Sequence, residues 1–318
     1  MLRQKTVKLA SRVLAKTPIL RVLDRNNGRR GGVILVFHEM AAELLSRHLS
    51  RLERVYRFIS LDEFVTRLIE NKSTAGLAAI TFDDGVGWVT EGAAKLAIAR
   101  KWPMTFYLPT RYLDTLEPYW FLELDLLLNR AAGSKLTLGK ETFSLAGAAA
   151  IAGTSKTLRG YFKARTTAEE VDSLLRRIRL SLFGSENRPA GLSIPGPISW
   201  DRVRELAANE EVSFQAHSIS HLAVSRLTEE TLKNELEGSR ARIWELTRRP
   251  VDHFCYPYGS PGEIGTAAPN VVRKLFRSAT TTTRGRCHEG VDLALLPRVP
   301  IDDMDSEEVM ELKVGTAR

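Results

Sequence analysis

Seven short runs of apolar, β-branched or aromatic residues punctuate the chain: Val33–His38, Leu77–Phe82, Met104–Leu108, Val212–Ala216, Asp252–Tyr256, Arg277–Thr282 and Leu293–Val299. Each is bounded by turn-forming residues and has the length of a strand. Several are apolar almost throughout, which predicts strands buried on both faces, as in a parallel sheet. Helical periodicity fills most of the intervals. Leu61–Glu70 follows Ser60 as N-cap, with Glu63 completing a capping box. Val89–Arg100 is apolar at 89, 93, 96 and 97, and Trp200–Asn209 follows Ser199. Thr228–Thr247 sets Leu232, Leu236, Ile243 and Leu246 opposite a charged face. This alternation predicts an α/β fold around a parallel sheet, open or closed into a barrel.

The rhythm breaks between about residues 110 and 197. That segment holds a predicted helix at Trp120–Ala131, a Gly/Ala-rich stretch, an amphipathic helix at Ala168–Phe183 and a loop with Pro189, Pro195 and Pro197. It reads as an insertion between the third and fourth strands. The expected organisation is a basic arm over 1–31, a barrel domain over 32–303 carrying the insertion, and a C-terminal helix or tail over 304–318.

Composition changes this picture in two places. The net charge is +8, and residues 1–30 hold nine basic residues against the single acid Asp24, so the excess lies in the arm and the rest is neutral overall. A basic pI of this origin is no nucleic-acid footprint for the domain. Leu2, Leu9, Val13 and Leu20 recur at roughly helical spacing in the arm. Such a helix is suited to peripheral contact with an anionic membrane surface, the alternative being a solvated helix packed on the domain. The two cysteines, Cys255 and Cys287, form no CxxC pair, which argues against a disulfide framework and a thiolate zinc site. With no secretory signal and no long apolar run, the expected location is the cytoplasm, including the inner face of the membrane.

The polar residues at the ends of the predicted strands carry the chemistry. The second run ends in Asp83-Asp84-Gly85, two adjacent carboxylates that need a cation or a shared proton, or else a surface turn. The fourth leads into His217-Ser218-Ile219-Ser220-His221; two histidines four apart face one side of a helical turn and can bind one ion. The fifth leads into Tyr256-Pro257-Tyr258-Gly259, a rigid corner suited to offer a backbone N–H to an oxyanion, or a simple core corner. His38 ends the first run and Arg298 lies in the last. In a parallel barrel all strand C-termini open on one face, where active sites are built, so their convergence outweighs each local alternative.

At these residues the sequence resembles the polysaccharide deacetylase family, which shares the NodB homology domain. Thr81-Phe82-Asp83-Asp84-Gly85 resembles the first family motif, His217-Ser218-Ile219-Ser220-His221 the metal motif, and Tyr256-Pro257-Tyr258-Gly259 the third. The resemblance covers about residues 32–300, less the insertion. It implies a distorted (β/α) barrel of about seven strands, with Asp83 as base, Asp84, His217 and His221 as metal ligands, and the Tyr258 N–H as oxyanion donor. Two departures stand out: Cys255 takes the place of an arginine that orients the base, and Leu296-Pro297-Arg298 stands where a Leu-x-His pattern supplies a catalytic histidine. A branch of the family with an aromatic-His pair at the first strand, as in Phe37-His38, also lacks that late histidine. By this resemblance His38 is the general acid and Arg298 pairs with Asp83.

The expected activity is hydrolysis of the acetamide of an N-acetylated sugar, in a polymer, oligosaccharide or lipid-linked precursor. One divalent metal is expected: zinc first for a two-histidine, one-carboxylate set, then cobalt, nickel or iron. The alternatives are an esterase or deformylase using the same site, and an inactive glycan-binding relative. Tyr119, Trp120 and Phe121 are candidates for stacking on a sugar ring, or for the core of the inserted helices.

Overall fold

The structure, a computed structural model, describes residues 31–317. The expected basic arm over residues 1–30 lies outside the described residues. In chain order the elements are β1 (Val33–Phe37), α1 (Ala42–Leu52), β2 (Arg57–Phe58), α2 (Leu61–Ile69), β3 (Leu77–Phe82), α3 (Gly87–Arg100), β4 (Met104–Leu108), α4 (Thr110–Thr115) and α5 (Trp120–Arg130). The hairpin β5 (Lys135–Leu138) and β6 (Glu141–Ser144), α6 (Ala148–Lys163), α7 (Ala168–Phe183) and α8 (Trp200–Ala207) follow. The chain continues through β7 (Val212–Ala216), α9 (Glu229–Thr247), β8 (His253–Cys255), α10 (Pro261–Ile264), α11 (Ala268–Leu275), β9 (Ser278–Arg284), β10 (Leu296–Pro300) and α12 (Glu307–Gly315).

Seven of these strands close a parallel barrel in the order β1-β10-β9-β8-β7-β4-β3, and β3 returns to pair with β1. The two-residue β2 flanks the start of β3, and β5 and β6 form a separate antiparallel pair. The runs at Leu77–Phe82, Met104–Leu108 and Val212–Ala216 become strands over those residues. The last run starts with a 3₁₀ turn at Leu293–Leu295 and enters the sheet at Leu296.

Strand alternation sorts the side chains into two apolar layers. Phe37, Phe82, Phe106 and Phe214 sit in register on four neighbouring strands, with successive ring centroids 5.2, 5.1 and 5.7 Å apart. They belong to the large layer shared by sheet and helices. Ile34, Ala79, Tyr107, Cys255 and Leu296 form a second cluster, which Phe64 and Val65 of α2 join. Ser60 caps α2 as expected, its Oγ accepting from Glu63 N at 3.1 Å.

The segment between β4 and β7 is more ordered than its sequence suggests. The Gly/Ala-rich stretch is the 16-residue helix α6, and a hairpin precedes it. Buried Glu123 on α5 pairs with Arg179 of α7 at 3.1 Å and with Arg188 at 3.0 Å. The proline-rich strap then reaches the end of β3, where Gly87 N donates to Gly196 O and Ile198 N to Gly85 O, each at 2.9 Å. No helix among the described residues is long and apolar enough to cross a membrane.

Candidate active site

Six of the seven residues singled out by sequence sit in the loops just beyond the C-terminal ends of barrel strands, and the seventh, Arg298, lies at the middle of β10. Asp83 and Asp84 leave β3 through a sharp turn: Asp84 has φ 70° and Gly85 φ 69°. A Cβ on Gly85 would stand 2.5 Å from Leu108 Cδ2, so the turn needs both the conformational freedom and the small size of glycine. Buried Tyr119 donates its hydroxyl to the Asp84 carbonyl and fixes the turn from the side of the insertion.

The 217–221 segment is a loop, not the helical turn its spacing predicted. Ser218 and His221 adopt φ 64° and 55°, and Ser218 Oγ accepts from His221 N at 3.0 Å. Glu235 of α9 accepts from Ile219 N and Ser220 N, both at 2.8 Å. A buried carboxylate from another helix thus supplies the order that helical hydrogen bonds would have given. The histidines still converge, with ring centroids 4.8 Å apart.

Asp84 faces these two rings. Its Oδ1 stands 3.2 Å from His221 Nε2 and 3.6 Å from His217 Nε2, and all three residues are buried. His217 Nδ1 lies 2.7 Å from the Cys255 carbonyl, which can only accept, so Nδ1 carries the proton and Nε2 is turned toward Asp84. Asp84 Oδ1 nonetheless has no hydrogen bond of acceptable geometry. Burial opposes charge on His217, but Cys255 and the Asp84 and Asp83 carboxylates outweigh it and raise its pKa well above the ordinary value. Burial opposes charge on Asp84 as well, and the two histidines outweigh it to hold the carboxyl well below the usual range. The three donor atoms lie within 4.8 Å of one another. A buried carboxylate oxygen left without a hydrogen bond, facing two imidazole Nε2 atoms, fits a divalent cation, which would displace any shared proton.

Asp83 is neutralised from within. Arg298 on β10 clasps it with two hydrogen bonds, Nη1 to Oδ1 and Nη2 to Oδ2, each 2.7 Å. The guanidinium is fully buried, and it also donates Nε to Thr281 O at 2.8 Å and Nη1 to Thr81 Oγ1 at 3.2 Å. Burial pushes the Asp83 carboxyl up, but the charge and hydrogen bonds of Arg298 bring it down to about 2. Cys255 completes the contact: its Sγ accepts from Arg298 Nη2 at 3.2 Å, and its thiol faces Asp83 Oδ2 at 3.5 Å. Asp83, His217 and Cys255 are also close enough to share an ion, but the guanidinium already supplies the positive charge there.

His38 stands at the mouth, its side chain 50% exposed and its Nε2 3.6 Å from Asp83 Oδ2. Tyr258 adopts φ 63° and donates its hydroxyl to His221 O at 3.1 Å, while its backbone N–H meets no acceptor among the described residues. The inserted segment forms one wall. Trp120 stacks on Phe162 with centroids 4.3 Å apart, and Lys163 bonds Glu263 at 2.9 Å beside the Tyr258 ring. Tyr119 and Trp120 are buried in this wall and offer no open face; Phe121 remains half-buried, its ring 5.9 Å from that of His221. Glu235 went unrecognised by sequence reasoning, since nothing in the α9 pattern marks it off from neighbouring surface charges.

The polysaccharide deacetylase family model matches residues 70–276, about two thirds of the chain. The chain belongs to the polysaccharide deacetylase family. Solved structures with the same fold include a Streptococcus pyogenes deacetylase, PplD, in complex with acetate, at 14% identity and TM-score 0.58, covering 89% of this chain and 98% of that one. IcaB from Ammonifex degensii is similar at 17% identity and TM-score 0.55, covering 90% and 98%. The deacetylase domain of BpsB from Bordetella bronchiseptica is similar at 13% identity and TM-score 0.54, covering 86% and 97%. No curated protein matches the chain. Within this deacetylase the family match runs from the end of α2 to the start of β9, so it takes in Asp83, Asp84, His217, His221 and Tyr258 but neither His38 nor Arg298.

Proposed function

We propose that this deacetylase removes acetyl groups from an N-acetylated amino sugar and does so with one divalent metal, zinc first. The observation that carries the reading is Asp84 Oδ1, buried without a hydrogen bond against His217 and His221 while the adjacent Asp83 already has its counter-charge in Arg298. Asp84, His217 and His221 would hold the ion, which supplies Lewis-acid polarisation of the acetyl carbonyl and acidifies water.

The remaining roles belong to the chain. Asp83, ionised and fixed by Arg298, takes a proton from the attacking water. The free N–H of Tyr258 donates to the oxyanion that forms at the carbonyl, a contribution of about 3 kcal/mol for one such donor. His38, at the open side of Asp83, hands a proton to the departing amine. The sum is amide plus water giving amine plus acetate.

Metal content and zinc affinity of the purified protein, measured beside His217→Ala, test the reading without a choice of substrate. One equivalent in the parent and a large loss in the variant, followed by acetate release from N-acetylated sugars, are expected. A parent that takes up no metal after reconstitution overturns it and leaves a glycan-binding protein as the better account.

A further inference from the structure

Two hollows meet at the pole of the barrel opposite the active site. The larger, about 500 Å³, lies where β2, β3 and β4 begin and is bordered by Arg54, Arg57, Gly76, Arg100, Lys101 and Trp102. The smaller, about 260 Å³, shares Arg54 and adds Arg47 of α1. Asp83 follows β3 seven residues after Gly76, which sets the two poles about 20 Å apart.

The charges at this pole are uneven. Glu53 is the one acid bordering the larger hollow, and it already accepts from Arg100 at 3.2 Å and from the indole N–H of Trp102 at 2.9 Å. Arg57 and Lys101 pair with Glu63 at 3.3 Å and Glu211 at 2.7 Å, yet their side chains stay 63% and 76% exposed. Ion pairs this open are weak and leave each cation available to another anion. Arg47 and Arg54 are exposed and form no ion pair among the described residues. Between Arg54 and Arg57 the apolar side chain of Val55 is 49% exposed.

The root of the basic arm is fastened to the same pole. Gly32 N donates to Thr74 Oγ1 at 2.9 Å, two residues before Gly76. Arg286 donates to the Gly31 carbonyl at 3.2 Å and to the hydroxyl of Tyr56 at 3.0 Å, and Tyr56 also lines the larger hollow. The thirty residues before Gly31 carry nine basic side chains and one acid, and end in Arg29-Arg30. A segment of that charge thus joins the domain beside a rim of cations. Like charges gathered in this way repel one another unless an extended anionic partner lies across them.

We propose that this pole docks on an anionic lipid bilayer, with the arm, Arg47, Arg54, Arg57, Arg100 and Lys101 over the headgroups and Val55 among them. The cations spread over two hollows and the arm instead of converging on one point, which fits a surface better than a single small anion, and Val55 adds an apolar contact in their midst. Docked in this way, the mouth of the active site faces water about 20 Å farther from the lipid and takes its substrate from that side. The orientation follows from the barrel and does not depend on the deacetylase reading.

The test sediments the full chain with phosphatidylcholine vesicles, with and without about a third phosphatidylglycerol. Binding to the anionic vesicles alone is expected, lost between about 0.1 and about 0.5 M salt. Arg47→Gln with Arg54→Gln should bind about 25-fold more weakly, about fivefold for each cation. Orientation is read from an environment-sensitive fluorophore on Val55→Cys or on Met304→Cys. Met304 is 72% exposed beyond β10, on the active-site side, and the native Cys255 and Cys287 are buried. The label at position 55 should shift to the blue on binding, and the label at position 304 should not. Equal binding to neutral vesicles, no binding to either, an unchanged affinity in the double variant, or a shift at position 304 in place of 55 each overturns the proposal. Retention on single-stranded RNA without binding to the vesicles assigns the cations to a nucleic acid and overturns it as well.

Discussion

Asp83 and Asp84 leave the same strand one residue apart, and both are buried, yet the chain surrounds them differently. On the Asp83 side a fully buried guanidinium forms two 2.7 Å hydrogen bonds to the carboxylate, with Cys255 beside them. On the Asp84 side two imidazoles approach to 3.2 and 3.6 Å, one of them committed through Nδ1 to a carbonyl, and Oδ1 is left without a hydrogen bond. Desolvation penalises both carboxylates. The first meets its counter-charge in Arg298, and the second faces only the two imidazoles. The difference separates a carboxylate whose charge and position are fixed by an internal guanidinium from one that the proposed reading gives to a metal.

The largest expected effect breaks the first half of this comparison. Arg298→Leu leaves Asp83 buried without its partner and should destabilise the protein by about 3–5 kcal/mol. Urea unfolding at neutral pH measures this, and a cost below 1 kcal/mol would mean that the clasp is dispensable. His38→Ala should lower kcat by about 10²–10⁴ with metal content unchanged, the range for loss of a general acid. Near-normal turnover in that variant removes His38 from the mechanism.

The second half is probed with the metal itself. Zinc at a hundredfold excess over its Kd should stabilise the parent by about 2.7 kcal/mol, seen as a rise in Tm. Asp84→Asn should show almost none of this rise, and an equal rise in both would place the ion elsewhere. The smallest effect concerns Cys255. Its sulfur makes only weak contacts, so Cys255→Ala should cost about 1 kcal/mol or less in the same urea experiment. A larger cost would move the support of Asp83 from Arg298 to the thiol.

Local pattern reached the barrel strands because burial on both faces writes itself into apolar runs such as Leu77–Phe82 and Val212–Ala216. It missed helices whose starts carry no signal. The start of α1 at Ala41 and that of α6 at Gly147 lack a side-chain cap, and α6 contains Gly153 and Gly160. Positions of the site residues at strand ends were legible, since a parallel barrel sends every strand C-terminus to one face. The backbone that aims them was less so: residues 217–221 owe their shape to Glu235 and to left-handed Ser218 and His221, and spacing alone suggested a helix. The pairing of Arg298 with Asp83 joins residues 215 positions apart, and only the motif comparison pointed to it.

That separation also bears on how the protein is made. Asp83 lies at the end of the second barrel strand to be synthesised and Arg298 in the seventh, β10, which closes the barrel by pairing with β1. Until β10 docks, β1 and β9 each present an unpaired edge to other chains, and Asp83 has no guanidinium. The same event seals the sheet and completes the charge balance around Asp83, so a ribosome-bound or truncated chain lacking β10 carries Asp84, His217 and His221 while Asp83 lacks its Arg298 partner. Such long-range closure is slow to form, and a chaperone that shields the open edges would act on the interval before β10 arrives.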